Sequence, residues 1–218
     1  MTALRLHRHG RFRRWLGAKF GGDEAFGDRL WRRMLHGVGA AVLLYYPLPA
    51  VLFGVLPKLY LLLGALVAVL VLELLRLRAG VELPALRAYE QDRPASFVFY
   101  ALALTGAVVL LPMPIAVAVV LGTSLVDPLA GELRASPATR RAYPWAPYAA
   151  WVLLATAGLS PLGGWPLLPS AGLAALAGAV AIAVEAPKLR WMDDDLAMTF
   201  APAIVLYACG VAVLGLPG

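Results

Sequence analysis

Long apolar runs alternate with short polar stretches along nearly the whole chain. A bilayer core about 30 Å thick needs on the order of 20 helical residues, at about 1.5 Å each. The runs predict seven transmembrane helices, over 35–56, 59–77, 95–111, 114–126, 147–168, 170–184 and 196–216. Pro47 and Pro49 interrupt the first, and Gly163-Gly164 lies near the end of the fifth. Pro112-Met113-Pro114 predicts a tight turn between the third and fourth, because proline disfavours helix in the residue before it. The expectation is an all-α, polytopic integral membrane bundle in which residues 35–218 form one unit.

The first 34 residues follow a different pattern and form a separate segment. Phe12, Trp15, Leu16, Lys19 and Phe20 fall at helical spacing beside Arg11, Arg13 and Arg14. That suits a basic amphipathic helix lying in the headgroup layer. Gly21-Gly22 ends it, and Phe26, Leu30 and Met34, spaced by four, lead into the first span. No apolar core in this segment is long enough for a signal peptide.

Composition agrees: 61% of the 218 residues are hydrophobic and 15% are charged. A soluble domain carries roughly a quarter charged residues, so an ordinary soluble globule and a disordered chain are excluded. The single Cys209 cannot close an internal disulfide. A net charge of +6 would suit nucleic acid, but the placement of the charges argues for an anionic membrane surface and no nucleic-acid partner. Of 19 Lys and Arg, only Lys58 falls on one side of the predicted bundle. The positive-inside rule then puts the N-terminus in the cytoplasm and the C-terminus outside, and the expected location is the cell's inner membrane. All 13 acidic residues gather on or near the cytoplasmic side, so any chemistry belongs there.

Ionisable groups at membrane depth are costly and face the protein interior. His36 stands at the start of the first span. Glu73 and Arg76, and likewise Glu90 and Arg93, are three apart and can pair on a helix. Asp127-Pro128 reads either as a helix start, with aspartate at the N-cap and proline at the first helical position, or as a carboxylate holding Mg²⁺ and a nucleotide. Arg134, Arg140 and Arg141 follow it as cations for phosphates. In Glu185-Ala186-Pro187-Lys188-Leu189-Arg190-Trp191-Met192-Asp193-Asp194-Asp195-Leu196, one aspartate suffices to cap the last span. Three adjacent carboxylates repel, and a divalent cation relieves that repulsion. A solvated acidic turn is the alternative. No P-loop, nucleophile elbow or zinc motif competes.

In order and spacing these clusters resemble the integral-membrane dolichol kinase and phytol kinase family, which is related to phosphatidate cytidylyltransferase. Arg32-Arg33-Met34-Leu35-His36 is similar to the family's Arg-Lys-x-x-His opening. Glu73-Leu74-Leu75-Arg76 is similar to its Glu-x-x-Arg, and Asp127-Pro128-Leu129-Ala130 to its Asp-x-x-Ala signature. Glu185 to Leu196 resembles the Glu…Asp-Asp-Asn-Leu segment, with Asp193 and Asp194 matching the paired acids. The likeness covers about Arg32 to Pro202. Val126 stands where the family has glycine, and Asp195 where it has asparagine. Its Lys-Ser/Thr-x-Glu-Gly element is replaced by Ser136-Pro137-Ala138-Thr139-Arg140-Arg141-Ala142-Tyr143-Pro144-Trp145.

The resemblance implies phosphoryl transfer from a nucleotide, CTP in the family, to the hydroxyl of a polyprenol, dolichol or phytol-type isoprenoid alcohol at the cytoplasmic face. It implies Asp127, Glu185 and Asp194 as catalytic carboxylates. Mg²⁺ is expected on Asp127, Asp193 and Asp194, and nucleotide phosphates on Arg134, Arg140, Arg141 and Lys188. The isoprenoid alcohol, the nucleotide and membrane lipids are the expected partners, with room for a homo-oligomer. CDP-lipid synthesis, as in phosphatidate cytidylyltransferase, and a catalytically lapsed lipid-binding protein are the alternative readings. The missing Lys and Glu favour the second of these.

Overall fold

The computed structural model describes residues 33–80, 86, 90, 93–185 and 193–216. Nearly all of the basic segment expected over 1–34 lies outside them, as do Tyr89, Lys188 and Arg190.

Residues 33–39 are α-helical and tighten to a 3₁₀ helix over Ala40–Tyr45. Pro47 and Pro49 stop it, since proline lacks an amide hydrogen and restricts the residue before it. The chain turns back in a small antiparallel hairpin, β1 (Val51–Leu52) and β2 (Leu56–Pro57). The first predicted span is therefore a short helix followed by a hairpin, not one continuous helix. Lys58 then folds back onto the broken helix. Its ammonium donates to the carbonyl oxygens of Tyr45, Tyr46 and Leu48, at 3.1, 3.4 and 3.2 Å, and lies 4.5 Å from the Tyr45 ring centre. A helix leaves its last carbonyls without partners, and the cation set apart from all the others fills that need.

Helix α1 (Lys58–Ala79) ends in left-handed Gly80, at φ 61°. Helix α2 (Ser96–Leu110) is short and apolar, and α3 (Met113–Leu121) starts at the expected Pro112 turn. The chain does not stop at Val126. A π-helical stretch, Gly122–Val126, carries it into α4 (Asp127–Ala135), so that Met113–Ala135 is one helix of 23 residues. In a regular α-helix the ring of Pro128 would strike the carbonyl of Ser124. The wider π turn makes room for it. Asp127 is accordingly helical, at φ −59° and ψ −49°. It does not begin a new helix, and the N-cap reading of Asp127-Pro128 gives way to a continuous helix. Helix α5 (Trp145–Ala157) runs into a second π stretch, Gly158–Leu162, around Pro161. Helix α6 (Leu167–Glu185) and α7 (Asp194–Val205) complete the bundle, α7 continuing as a π helix over Leu206–Val213.

Apart from the hairpin, the described chain is all-α. Four helices are long and apolar enough to cross a membrane: Lys58–Ala79, Met113–Ala135, Leu167–Glu185 and Asp194–Ala212. The protein thus has the make-up of a membrane protein. Apolar on every side, α3 is the buried centre, with Ile115, Ala116, Ala118, Val119 and Val120 wholly covered. Around it stand α2, α5 and α7, and α6 packs between α5 and α7. Small residues set these distances. A side chain at Gly122 would collide with the indole of Trp151 on α5. Helix α1 is apolar between its charged ends but touches mainly α2, and most of its leucines and valines are exposed.

Candidate functional site

Successive helices run in opposite directions, which brings the C-terminal ends of α1, α4 and α6 and the N-terminal ends of α2 and α7 to one end of the bundle. The charged residues meet there. His36, from the leading helix, reaches between α4 and α7. Its Nε2 hydrogen-bonds Asp195 Oδ1 at 3.2 Å and stands 3.8 Å from Asp127 Oδ2. Donor atoms of all three lie within 4.8 Å of one another, and among the described residues this is the one such group of histidines and acids. His36 and Asp127 are partly covered, and Asp195 is buried.

Hydroxyl groups hold the arrangement in place. Tyr100 of α2 lies against the imidazole, with ring centres 4.4 Å apart. Its phenol donates to the His36 carbonyl at 2.6 Å and contacts Ser124 Oγ at 2.7 Å. A phenol has one hydrogen to give, so Ser124 is the donor in the second bond. Gly39 leaves room for this ring, because a side chain there would run into Tyr100. One turn from each acid, Thr123 and Thr199 meet at 2.9 Å. Thr199 donates to the Asp195 carbonyl at 2.8 Å, which makes Thr123 the donor to Thr199. The two helices that carry the aspartates are thereby pinned together just below them.

Beside this group stands a second. Arg134 of α4 pairs with the buried Glu185 at the end of α6, and the Tyr143 phenol donates to Glu185 Oε2 at 3.0 Å. The Arg134 guanidinium also sits 5.2 Å from the Tyr143 ring centre. Burial, and the Glu185 carboxylate that accepts its hydrogen, push the Tyr143 phenol above its ordinary range. It therefore keeps its proton and stays a donor. Arg33 pairs with Glu132. Arg140 and Arg141 lie exposed on the 3₁₀ turn Arg140–Ala142.

A third group is built from α1 and α2. Glu73 and Arg76 form a two-point ion pair at 2.7 and 2.8 Å, both nearly fully buried. The Arg76 guanidinium also donates to the carbonyl oxygens of Glu90 and Arg93, and Glu73 accepts the Ala95 amide at 2.7 Å. Glu90 in turn accepts from the Ser96 amide at 3.3 Å. This is the salt bridge that the spacing of Glu73 and Arg76 predicts, extended into a clamp on the next connection.

Of the predicted site residues, the fold brings Asp127 into the His36 cluster together with Asp195. Asp193 caps α7 by accepting the Asp195 amide at 3.0 Å. Asp194 occupies the first turn of α7, and its charge and that of Glu185 are felt at Asp127. Glu185 and Arg134 are engaged with each other, and Lys188 lies outside the described residues. Motif matching points to Asp193 and Asp194 as the paired acids and passes over Asp195. A helical signal identifies it: Asp195, Met198, Thr199, Pro202 and Leu206 recur at three- and four-residue spacing, and this is the buried face of α7.

Two aspartate oxygens and an imidazole nitrogen at these distances fit a divalent cation. Carboxylates suit hard dications, and an imidazole beside them suits first-row transition metals. No protein-family model matches the chain, and no curated protein and no solved structure matches it either.

Proposed function

We propose that this is an integral membrane lipid kinase that transfers a phosphoryl group from a nucleotide, CTP by the family resemblance, to the hydroxyl of an isoprenoid alcohol. One observation carries the reading: Asp127 and Asp195, from different helices, converge with His36 at the charged end of an otherwise apolar bundle. The proposal includes seven membrane crossings with the N-terminus in the cytoplasm, supported by the segregation of basic residues to one side. The hairpin of β1 and β2 and the Lys58 cap would then lie toward the outer face.

In this scheme the isoprenoid tail lies among the helices and its hydroxyl rests at the inner interface. The hydroxyl oxygen attacks the terminal phosphorus, the bond to the bridging oxygen breaks, and the nucleoside diphosphate leaves. Asp127 and Asp195 would hold a divalent cation, which would supply neutralising charge to the phosphates. Asp194, half-exposed beside them, accepts the hydroxyl proton. Arg140 and Arg141 face the water from which the nucleotide arrives. Arg134, held by Glu185 and Tyr143, lines the approach. Positioning and charge account for most of the catalysis in such a transfer.

Purified protein in detergent, given terminally labelled CTP or ATP and a panel of prenols, diacylglycerol and phosphatidate, tests this. Label extracted with a prenol, with nucleoside diphosphate released, is the expected result. Release of pyrophosphate would move the assignment to cytidylyl transfer. No transfer to any lipid, with no thermal shift from any nucleotide, would leave the lapsed lipid-binding reading.

A further inference from the structure

The geometry points to His36, Asp127 and Asp195 as a three-ligand site for a first-row transition dication such as Mn²⁺, with His36 Nε2 bound directly to the ion. This deepens the reading above, since it rests on the same cluster, but it requires neither lipid nor nucleotide.

Three features carry it. The first is spacing. Ligands about 2.1 Å from one ion stand about 3.0 Å apart at right angles and about 3.4 Å apart in a tetrahedron. Nε2 is 3.2 Å from Asp195 and 3.8 Å from Asp127, and all three donor atoms lie within 4.8 Å of one another, so small side-chain movements draw them onto one ion. The second is aim. Tyr100 covers the face of the imidazole and binds the His36 carbonyl, while Gly39 lets that ring approach. Side chain and backbone are both held, and the Nε2 edge is turned toward the carboxylates. The third is charge. A structural histidine–aspartate pair needs one acid. Here a second is brought to the same nitrogen, and Asp194 and Glu185 add to the negative field around it. A cation at that point would offset the repulsion.

The donor set also says which cation. Magnesium takes oxygen ligands and gives up water reluctantly. Imidazole suits zinc, iron and nickel, and carboxylates suit manganese. One nitrogen with two carboxylate oxygens therefore selects against magnesium and leaves positions for water or phosphate.

Electron paramagnetic resonance on chelator-stripped protein in detergent, titrated with Mn²⁺ alone, tests the site. About one ion should bind per chain. It should be displaced by equimolar Zn²⁺ and retained against about 100-fold more Mg²⁺. Pulsed spectra should show modulation from a coordinated ¹⁴N. His36→Gln should abolish that modulation and weaken Mn²⁺ by at least about tenfold. Absence of bound Mn²⁺, displacement by comparable Mg²⁺, or bound Mn²⁺ without nitrogen modulation in the wild-type protein would overturn the proposal. The wild-type spectrum decides even where His36→Gln fails to fold. Binding without lipid phosphorylation would overturn only the kinase reading.

Discussion

Two ionic clusters occupy the same end of the bundle and use similar residues to opposite effect. At the α1–α2 corner Arg76 is paired with Glu73, both Glu73 oxygens accept hydrogen bonds, and the buried Glu90 accepts from the Ser96 amide. Arg76 goes on to hold two carbonyls of the following connection. The Glu73–Arg76 pair balances its own charge, and its hydrogen bonds are made within the protein. Between α4 and α7, two aspartates face a single imidazole, and more negative charge lies nearby. Burial does not separate the two clusters, since both are largely covered. What separates them, among the described residues, is whether the ion pair is closed within the cluster or more acids than bases are gathered at one point.

Removing one partner from the closed cluster should have the largest effect. Arg76→Ala leaves Glu73 buried with only the Ala95 amide to answer it. Breaking a buried pair in this way costs about 3–5 kcal/mol. Thermal denaturation in detergent, followed by size-exclusion fluorescence, should show a large drop in Tm. The apolar double replacement Glu73→Leu with Arg76→Met should recover most of it, because buried pairs are often replaceable by well-packed hydrophobic residues. An Arg76→Ala protein as stable as wild type would mean that the clamp does not hold the corner.

The open cluster should behave in the reverse manner. Asp127→Asn and Asp195→Asn each remove one of two like charges that face each other across α4 and α7. Tm should hold or rise. Phosphoryl transfer should fall by about 10²–10³, the range lost when one electrostatic contact to a transition state is removed. Measuring Tm and turnover on the same preparations gives the discriminating pair of numbers. A loss of Tm that parallels the loss of turnover would make the aspartates scaffold, like Glu73.

Sequence reading reaches the closed cluster more easily than the open one, for a physical reason. Glu73 and Arg76 are three apart on one helix, and the backbone alone makes them neighbours. His36, Asp127 and Asp195 are brought together by packing among three elements, and no local rule predicts that. The run of three aspartates shows the same divide. One of them capping α7 is legible from composition, and Asp193 does so. Which of the other two turns inward depends on helix phase, which the buried positions Met198, Thr199 and Pro202 carry. Asp127 is a related case. Asp-Pro looks like a helix start locally, but the apolar run before it is long enough to continue, and the π turn removes the clash that would have stopped it. The alternation of spans is readable from hydropathy, whereas the break at Pro47 and Pro49 divides the first into a helix and a hairpin. Hydropathy also gives no sign that α1 faces outward and α3 inward. Ala116, Ala118 and Gly122, small enough for neighbouring helices to approach, carry that distinction.

Tyr100→Phe lies between the two clusters in expected effect. It keeps the ring against His36 and removes only the hydroxyl, with its bonds to the His36 carbonyl and Ser124. Net loss per hydrogen bond is about 1 kcal/mol, so Tm should fall by a few degrees. If Tyr100 aims the imidazole, Mn²⁺ affinity should drop several-fold more than that small destabilisation accounts for, and ¹⁴N coupling should weaken without disappearing. Unchanged affinity beside a lowered Tm would assign Tyr100 to packing alone.

The smallest effect belongs to the cations that neither cluster uses. Arg140 and Arg141 are exposed on their 3₁₀ turn, where water and salt screen them. Exposed charges act over about 10 Å at 0.1 M salt and less above that. Their part in a phosphate-binding site is therefore to raise the local concentration of nucleotide, with no share in stabilising the transition state. Arg140→Gln with Arg141→Gln should raise KM for the nucleotide a few-fold, leave kcat unchanged, and lose its effect as salt is increased. Arg134→Gln makes the contrast. It leaves Glu185 buried with Tyr143 as its remaining donor, so it should lower Tm at every salt concentration. A double Arg140–Arg141 variant that lowered kcat independently of salt would place one of these side chains against the reacting phosphate, and the negative excess around Asp127 would then be answered by protein cations as well as by a bound ion.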